Sequence, residues 1–207
     1  MRSGHGRGDA GDLGCYAPGV PVVLVSRWAG GPRSDWYPWL VDALAGDGIE
    51  VLVPRMPRPE RAEIGAWAAV LDALVAAVPL ETLGFVGHSV GCQAILRHLA
   101  ARADDGPARG VVAVAGWWDI VDPWPTLRPW LAIDYDVAAA ARRAGPVDLV
   151  VGDDDPYTPD HAANAELWRA RMGARAHVWS GHGHLNHRAL PALAALCRAR
   201  FAPLAAR

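Results

Sequence analysis

Gly87-His88-Ser89-Val90-Gly91 concentrates more chemistry in fewer residues than any other segment of this chain. It follows a short apolar run at 83–87 and precedes an Ala- and Leu-containing run of helical period at 91–103, the setting of a sharp strand-to-helix turn. Such a turn forces its middle residue into strained backbone and leaves no room for side chains at its flanks, hence glycine on both sides. Ser89 is then thrust out at the top of the strand. The following helix aims its free N–H groups and positive dipole end back at the hydroxyl, so the Val90 N–H is an expected oxyanion donor. A serine here could also serve only as a helix cap, and the partners found elsewhere decide between the two.

A bare serine is a weak nucleophile near neutral pH, so it needs a base, and the base needs a group to orient it. On a sheet of this kind the acid and then the histidine follow the serine in chain order. The segment Gly152-Asp153-Asp154-Asp155-Pro156-Tyr157-Thr158-Pro159 comes directly after the apolar run 147–152. Asp155 is the favoured acid, because Pro156 restricts it to extended backbone and two prolines stiffen the loop. Asp153 and Asp154 then read as solvated or capping residues. Ser180-Gly181-His182-Gly183-His184-Leu185-Asn186-His187 supplies three histidines in the loop expected to carry the base, and spacing alone does not separate them. His182, His184 and His187 also match the HxHxxH spacing of di-zinc hydrolases. That pattern carries an aspartate where Asn186 stands, and the residues after 187 add no His, Asp or Glu, so no metal and no cofactor are expected.

The elements that must position these groups are legible as a βα alternation. Strands are expected at 20–26, 49–54, 83–87, 110–115, 147–152 and 177–180, with helices near 36–45, 61–78, 91–103, 137–144, 160–172 and 188–201. The fold class this implies is α/β: a three-layer α/β/α sandwich on a mostly parallel sheet of about six strands. Residues 1–18 read as a disordered leader without an apolar signal core, and 19–207 as one domain. The chain contains no lysine, so Schiff-base chemistry, Ser-Lys dyads and the P-loop lysine drop out. A net charge of −2 with scattered arginines gives no field for nucleic acid, and the apolar runs are too short to cross a membrane. Three widely spaced cysteines (Cys15, Cys92 and Cys197) suit a reducing, cytoplasmic setting.

With these residues placed, the chain resembles the small serine hydrolases related to retinoblastoma-binding protein nine and their YdeN-like bacterial relatives. These are minimal α/β-hydrolases without a large cap. The likeness rests on Trp36-Tyr37-Pro38-Trp39, on Gly87-His88-Ser89 with Gly91, and on Asp155-Pro156 with Gly183-His184-Leu185-Asn186. It implies a triad of Ser89, Asp155 and His184, and so selects His184 from the three histidines. It also implies a second oxyanion donor in the turn after the first strand. Here that turn reads Ser26-Arg27-Trp28-Ala29-Gly30-Gly31, with bulk where the relatives carry small residues, and the donor falls to the Trp28 N–H.

Two stretches without period, 26–36 and 117–136, should emerge at the carboxyl edge of the sheet and wall a pocket. The pocket residues expected from them are Trp28, Trp117, Trp118, Trp124 and Trp130, with His88 beside the serine. Such walls suit a small-molecule acyl substrate of apolar or aromatic character. The expected function is cleavage of a small carboxylic ester, thioester or amide through an acyl-enzyme on Ser89. A biosynthetic cyclase or isomerase on the same fold, and a binding module without catalysis, are the alternatives.

Overall fold

The computed structural model describes residues 20–103 and 106–202; the expected leader at 1–18, with Cys15, lies outside them. Six strands, β1 (Val20–Val25), β2 (Ile49–Leu52), β3 (Gly84–His88), β4 (Gly110–Val114), β5 (Val147–Gly152) and β6 (Arg175–Trp179), form one sheet in the order β2-β1-β3-β4-β5-β6. All five pairings are parallel. The helices are α1 (Tyr37–Ala45), α2 (Ile64–Val75), α3 (Val90–Ala101), α4 (Val137–Ala144), α5 (His161–Met172) and α6 (Pro191–Phe201). From β1 the chain moves outward to β2, then returns across β1 to β3 and continues the other way. The carboxyl ends of β1 and β3 therefore flank the point where the winding reverses, where an open parallel sheet leaves a crevice.

Side chains alternate between two cores, as period-two strands buried on both faces must. Val23, Val25, Phe85, Val111, Ala113, Leu149 and Val151 pack under α2, α3, α4 and α5. Val22, Leu24, Val86, Val112, Val114 and Val150 pack under α1 and α6. Asp148 breaks the apolar pattern on the second face, almost fully buried, and is held by Arg200 of α6 (Nε to Oδ2, 2.9 Å) and by His177 of β6 (Nε2 to Oδ1, 2.9 Å). A buried carboxylate is tolerable only with such partners.

The elements match the sequence expectation with shifts at their ends. The last strand begins at Arg175 rather than 177, because an edge strand exposes one side and needs no apolar period to pair with β5. The last helix begins at Pro191, whose missing N–H and fixed φ suit a first helical position, rather than at 188. The long connection after β4 is pinned to α3. Arg97 donates to Ala132 O at 2.6 Å and to Asp134 Oδ1 at 3.2 Å, and its guanidinium lies over the rings of Trp130 and Tyr135.

Candidate active site

Ser89 sits between β3 and α3 with φ 55° and ψ −121°, a conformation L-residues rarely adopt. Its N–H donates to Val114 O (2.9 Å) and its carbonyl accepts from Cys92 N–H (3.0 Å), so the bend is tied to β4 and to the helix it opens. The two glycines are required by proximity of backbone to backbone. A Cβ on Gly87 would lie 2.7 Å from Cys92 Cα, and one on Gly91 would lie 2.2 Å from Val25 O. Positive φ recurs beside the other loops of the site, at Ala29, Ala115 and Leu185. Strain of this kind, about 1–3 kcal/mol per residue, persists only where the surroundings enforce it.

The three aspartates after β5 divide their work. Asp153 Oδ1 accepts the Gly181 N–H (3.0 Å) and Asp154 Oδ1 the Gly183 N–H (2.7 Å), so both brace the backbone of the histidine loop. The Gly181 N–H and the Ser180 hydroxyl hold the Asp153 carboxyl below the usual carboxylate range. Asp155, buried, reaches the imidazole itself: its Oδ2 lies 2.7 Å from His184 Nδ1, while its Oδ1 accepts the Tyr157 N–H at 2.9 Å. A carboxylate oxygen accepts here, so the His184 proton that faces Asp155 is the one on Nδ1. His182 donates from Nδ1 to Ser180 O (2.9 Å) and His187 from Nε2 to His182 O (3.2 Å). Among the described residues no three His, Cys, Asp or Glu side chains gather as a metal site.

His88, fully buried behind Ser89, carries a second hydrogen-bonded chain. Its Nε2 lies 3.0 Å from His184 O, an acceptor only, so Nε2 bears the proton and Nδ1 accepts from the Tyr37 hydroxyl at 2.8 Å. Tyr37 Oη in turn accepts the Arg27 N–H at 3.1 Å. Burial, together with the neighbouring His184 and Arg27, holds the His88 pKa well below the ordinary histidine range, so the ring is neutral. Trp36 adds a parallel tie, its indole N–H donating to Leu185 O at 2.9 Å. The Trp36-Tyr37 and His184-Leu185 segments, far apart in sequence, thus meet through main-chain carbonyls.

Ser89, His184, Trp28, Trp117, Trp124 and Tyr157 are among the residues that line one cavity of about 150 Å³. Trp28 and Trp124 stack face to face, with centroids 4.7 Å apart and planes 8° apart, and the Trp28 indole N–H donates to Thr126 Oγ1 at 3.1 Å. Trp124 leads on to Tyr157, whose ring stands edge-on to His184 at 4.7 Å. The bulky turn after β1 is braced by Arg27, which pairs through Nε with Asp35 (2.7 Å) and donates from Nη1 to Trp28 O (2.9 Å). Among the described residues, the turn and loop backbone hydrogen bonds engage neither the Trp28 N–H nor the Val90 N–H. A larger, more open hollow of about 620 Å³ beyond Thr126, against Arg61 and Ile64, includes none of the ionisable groups just described.

Of the expected pocket residues, Trp28, Trp117 and Trp124 share the cavity wall, whereas Trp118, Trp130 and His88 do not. Trp118 packs on Trp168, under the Arg171 guanidinium. Trp130 is turned into the core, bonded to Ala62 O and edge-on to Trp67. Tyr37 and Arg27 were not among the residues expected at the site; Tyr37 lies in the aromatic patch 36–39, but nothing local says what its hydroxyl meets.

A six-stranded parallel sheet wound on both faces, with a serine-bearing bend at its switch point, is an α/β-hydrolase arrangement. The chain belongs to the serine hydrolase family, whose signature spans residues 22–191. YdeN of Bacillus subtilis (strain 168) is 26% identical over 141 residues, 67% of this chain and 72% of YdeN. The crystal structure of the ydeN gene product superposes with a TM-score of 0.79 at 21% identity, covering 87% of this chain and 97% of that one. Dienelactone hydrolase from Anabaena variabilis (TM-score 0.65, 22% identity, 88% and 85% covered) shares the fold. So does Est1E from Butyrivibrio proteoclasticus (0.67, 15%, 87% and 86%). Among the described residues no helix is long and apolar enough to cross a membrane.

Proposed function

We propose that this serine hydrolase cleaves a small carboxylic ester, thioester or amide through an acyl-enzyme on Ser89. His184 takes the Ser89 proton through Nε2 and delivers it to the leaving group, and Asp155 fixes the tautomer and stabilises the imidazolium. The Val90 and Trp28 N–H groups receive the oxyanion. The observation that carries this reading is the junction of two constraints in one cavity. A serine held at φ 55° shares its wall with a histidine whose far nitrogen lies 2.7 Å from a buried carboxylate.

The cavity wall supports an apolar or aromatic acyl group of modest size. At about 150 Å³ it is the size of a cavity that accepts one benzene molecule, and below the range usual for drug-sized ligands. A cytoplasmic setting belongs to the same reading and is supported by Cys92 and Cys197, both free and buried. The test is labelling by a fluorophosphonate probe. Native protein should be labelled at one site, and Ser89→Ala should abolish the label while leaving the melting temperature near that of the parent. A folded native protein that resists the probe, or a Ser89→Ala variant that labels equally, refutes the assignment.

A further inference from the structure

The Ser89 hydroxyl has a partner that the usual division of labour does not provide. The Trp117 indole N–H donates to Ser89 Oγ at 3.3 Å, from a side chain only 1% exposed. This donor is built rather than incidental, because Gly116 O, Trp117 O and the Trp118 N–H are each gripped by a buried amide side chain. Asn164 of α5 donates from Nδ2 to Gly116 O (2.8 Å) and accepts the Trp118 N–H at Oδ1 (3.3 Å). Gln93 of α3 donates from Nε2 to Trp117 O, and Gln93 Oε1 is itself held by Arg97 and by the Tyr135 hydroxyl, each at 3.3 Å. The backbone just before is strained, with Ala115 at φ 46°. Two buried amides from two helices thus set one indole over one oxygen.

We propose that Trp117 is a catalytic residue of deacylation, its indole N–H stabilising charge on Ser89 Oγ as the acyl-enzyme is released. The proposal rests on the acyl-enzyme reading above. An indole N–H only donates and stays protonated throughout the ordinary pH range, so its effect depends on what Oγ is doing. While Ser89 attacks, Oγ gives up an electron pair, and a donor bonded to it lowers its nucleophilicity. Once the acyl group is on Oγ, the balance reverses. Water attacks the carbonyl carbon, losing a proton to His184, and a tetrahedral adduct forms. Its C–Oγ bond then breaks, the electron pair goes to Oγ, and the proton returns from His184 to that oxygen. A donor fixed on Oγ draws electrons from the ester before water attacks and stabilises the departing oxygen afterwards. Trp117 therefore favours the second half-reaction over the first.

Burst kinetics with a p-nitrophenyl ester test this in Trp117→Phe and in a protein carrying 3-benzothienylalanine at position 117, which keeps the indole outline but has sulfur in place of N–H. Loss of one preorganised donor to a reacting oxygen costs about 10²–10³-fold at a full oxyanion hole. For a longer, neutral contact the expected slowing of deacylation is about 10–100-fold, with acylation unchanged or faster and trapped acyl-enzyme visible by mass spectrometry. Fluorophosphonate labelling of Ser89, which needs attack but no deacylation, should persist in both variants. Acylation and deacylation falling together, or neither changing in the benzothienyl protein, overturns the role of Trp117 while leaving the hydrolase reading intact. Failure of the native protein to label removes both.

Discussion

Gly91→Ala isolates the contact on which the geometry of the site turns. The added Cβ would lie 2.2 Å from Val25 O and 2.8 Å from Ser26 O, with backbone on both sides and no flexible side chain to yield. To reach an ordinary contact, the start of α3 and the end of β1 must separate by about 1 Å. The proposed oxyanion donors lie on opposite sides of that contact: Val90 N–H moves with α3, and Trp28 N–H moves with the chain leaving β1. A hydrogen bond stretched by such an amount is largely lost, so kcat is expected to fall about 10²–10³-fold with little change in KM. Overpacking of this kind costs about 1–3 kcal/mol, and the melting temperature of a chain this size should drop by roughly 3–10 °C. The control is Gly65→Ala in α2, where a Cβ meets open space and the helix gains about 0.5–1 kcal/mol. Thermal melts and steady-state kinetics on the two variants suffice. A Gly91→Ala protein with parental melting temperature and kcat within twofold of the parent would show that the contact does not hold the donors in place.

Other substitutions address other joints. Asp155→Asn should leave the fold intact and lower kcat/KM by about 10³–10⁴-fold, since a neutral amide no longer enforces the Nδ1–H tautomer; Asp154→Asn, at a carboxylate that accepts the Gly183 N–H, should cost far less. His88 gives a pH signature. The folded ring binds its proton well below the ordinary range, so below about pH 6.5 the unfolded chain takes up a proton that the native state refuses. Its contribution to stability is therefore complete above pH 6.5 and declines on acidification by up to about 1.4 kcal/mol per pH unit. In melts from pH 7 to pH 5, His88→Gln should lose that share of the slope, and an unchanged slope would contradict a neutral buried ring. Trp124→Ala removes one leaf of the stack with Trp28 and should widen the cavity, so relative rates should shift from benzoyl toward naphthoyl or longer acyl esters by about tenfold (about 1.4 kcal/mol).

What the sequence disclosed follows from the range of the forces involved. The bend at Ser89 was legible because its constraint is local: two glycines, a strand before and a helix after, within a few residues. Asp155 stood out from its two neighbours because Pro156 limits its backbone, again a local effect, and its Oδ2 is the carboxylate oxygen that lies 2.7 Å from His184 Nδ1. The three histidines were not separable in this way. What distinguishes them is whether a ring nitrogen meets a buried carboxylate 29 residues earlier or only a carbonyl of its own loop. The same holds for the tryptophans of 117–136. Trp117 and Trp118 are adjacent, yet one reaches Ser89 and the other packs on Trp168, a choice set by Asn164, 46 residues beyond Trp118. Composition could announce an aromatic pocket but not which rings belong to it.

The hydrogen bonds that place the site share one character: they end largely on main-chain groups rather than on one another's side chains. Tyr37 takes the Arg27 N–H, His88 holds His184 O, Trp36 holds Leu185 O, and Asn164 and Gln93 hold the peptides around Trp117. Main-chain donors and acceptors are present whatever the side chain, so this scaffold tolerates a Trp at position 28 where a small residue would be expected. The turn keeps its shape because Arg27 grips Trp28 O and Pro59 O accepts the Ala29 N–H (2.9 Å), not because the turn is empty. The bulk that could have closed the turn is carried outward into the stack with Trp124. It thereby becomes pocket wall, and the departure from small residues at this turn bears on the shape of the cavity rather than on whether the turn can form.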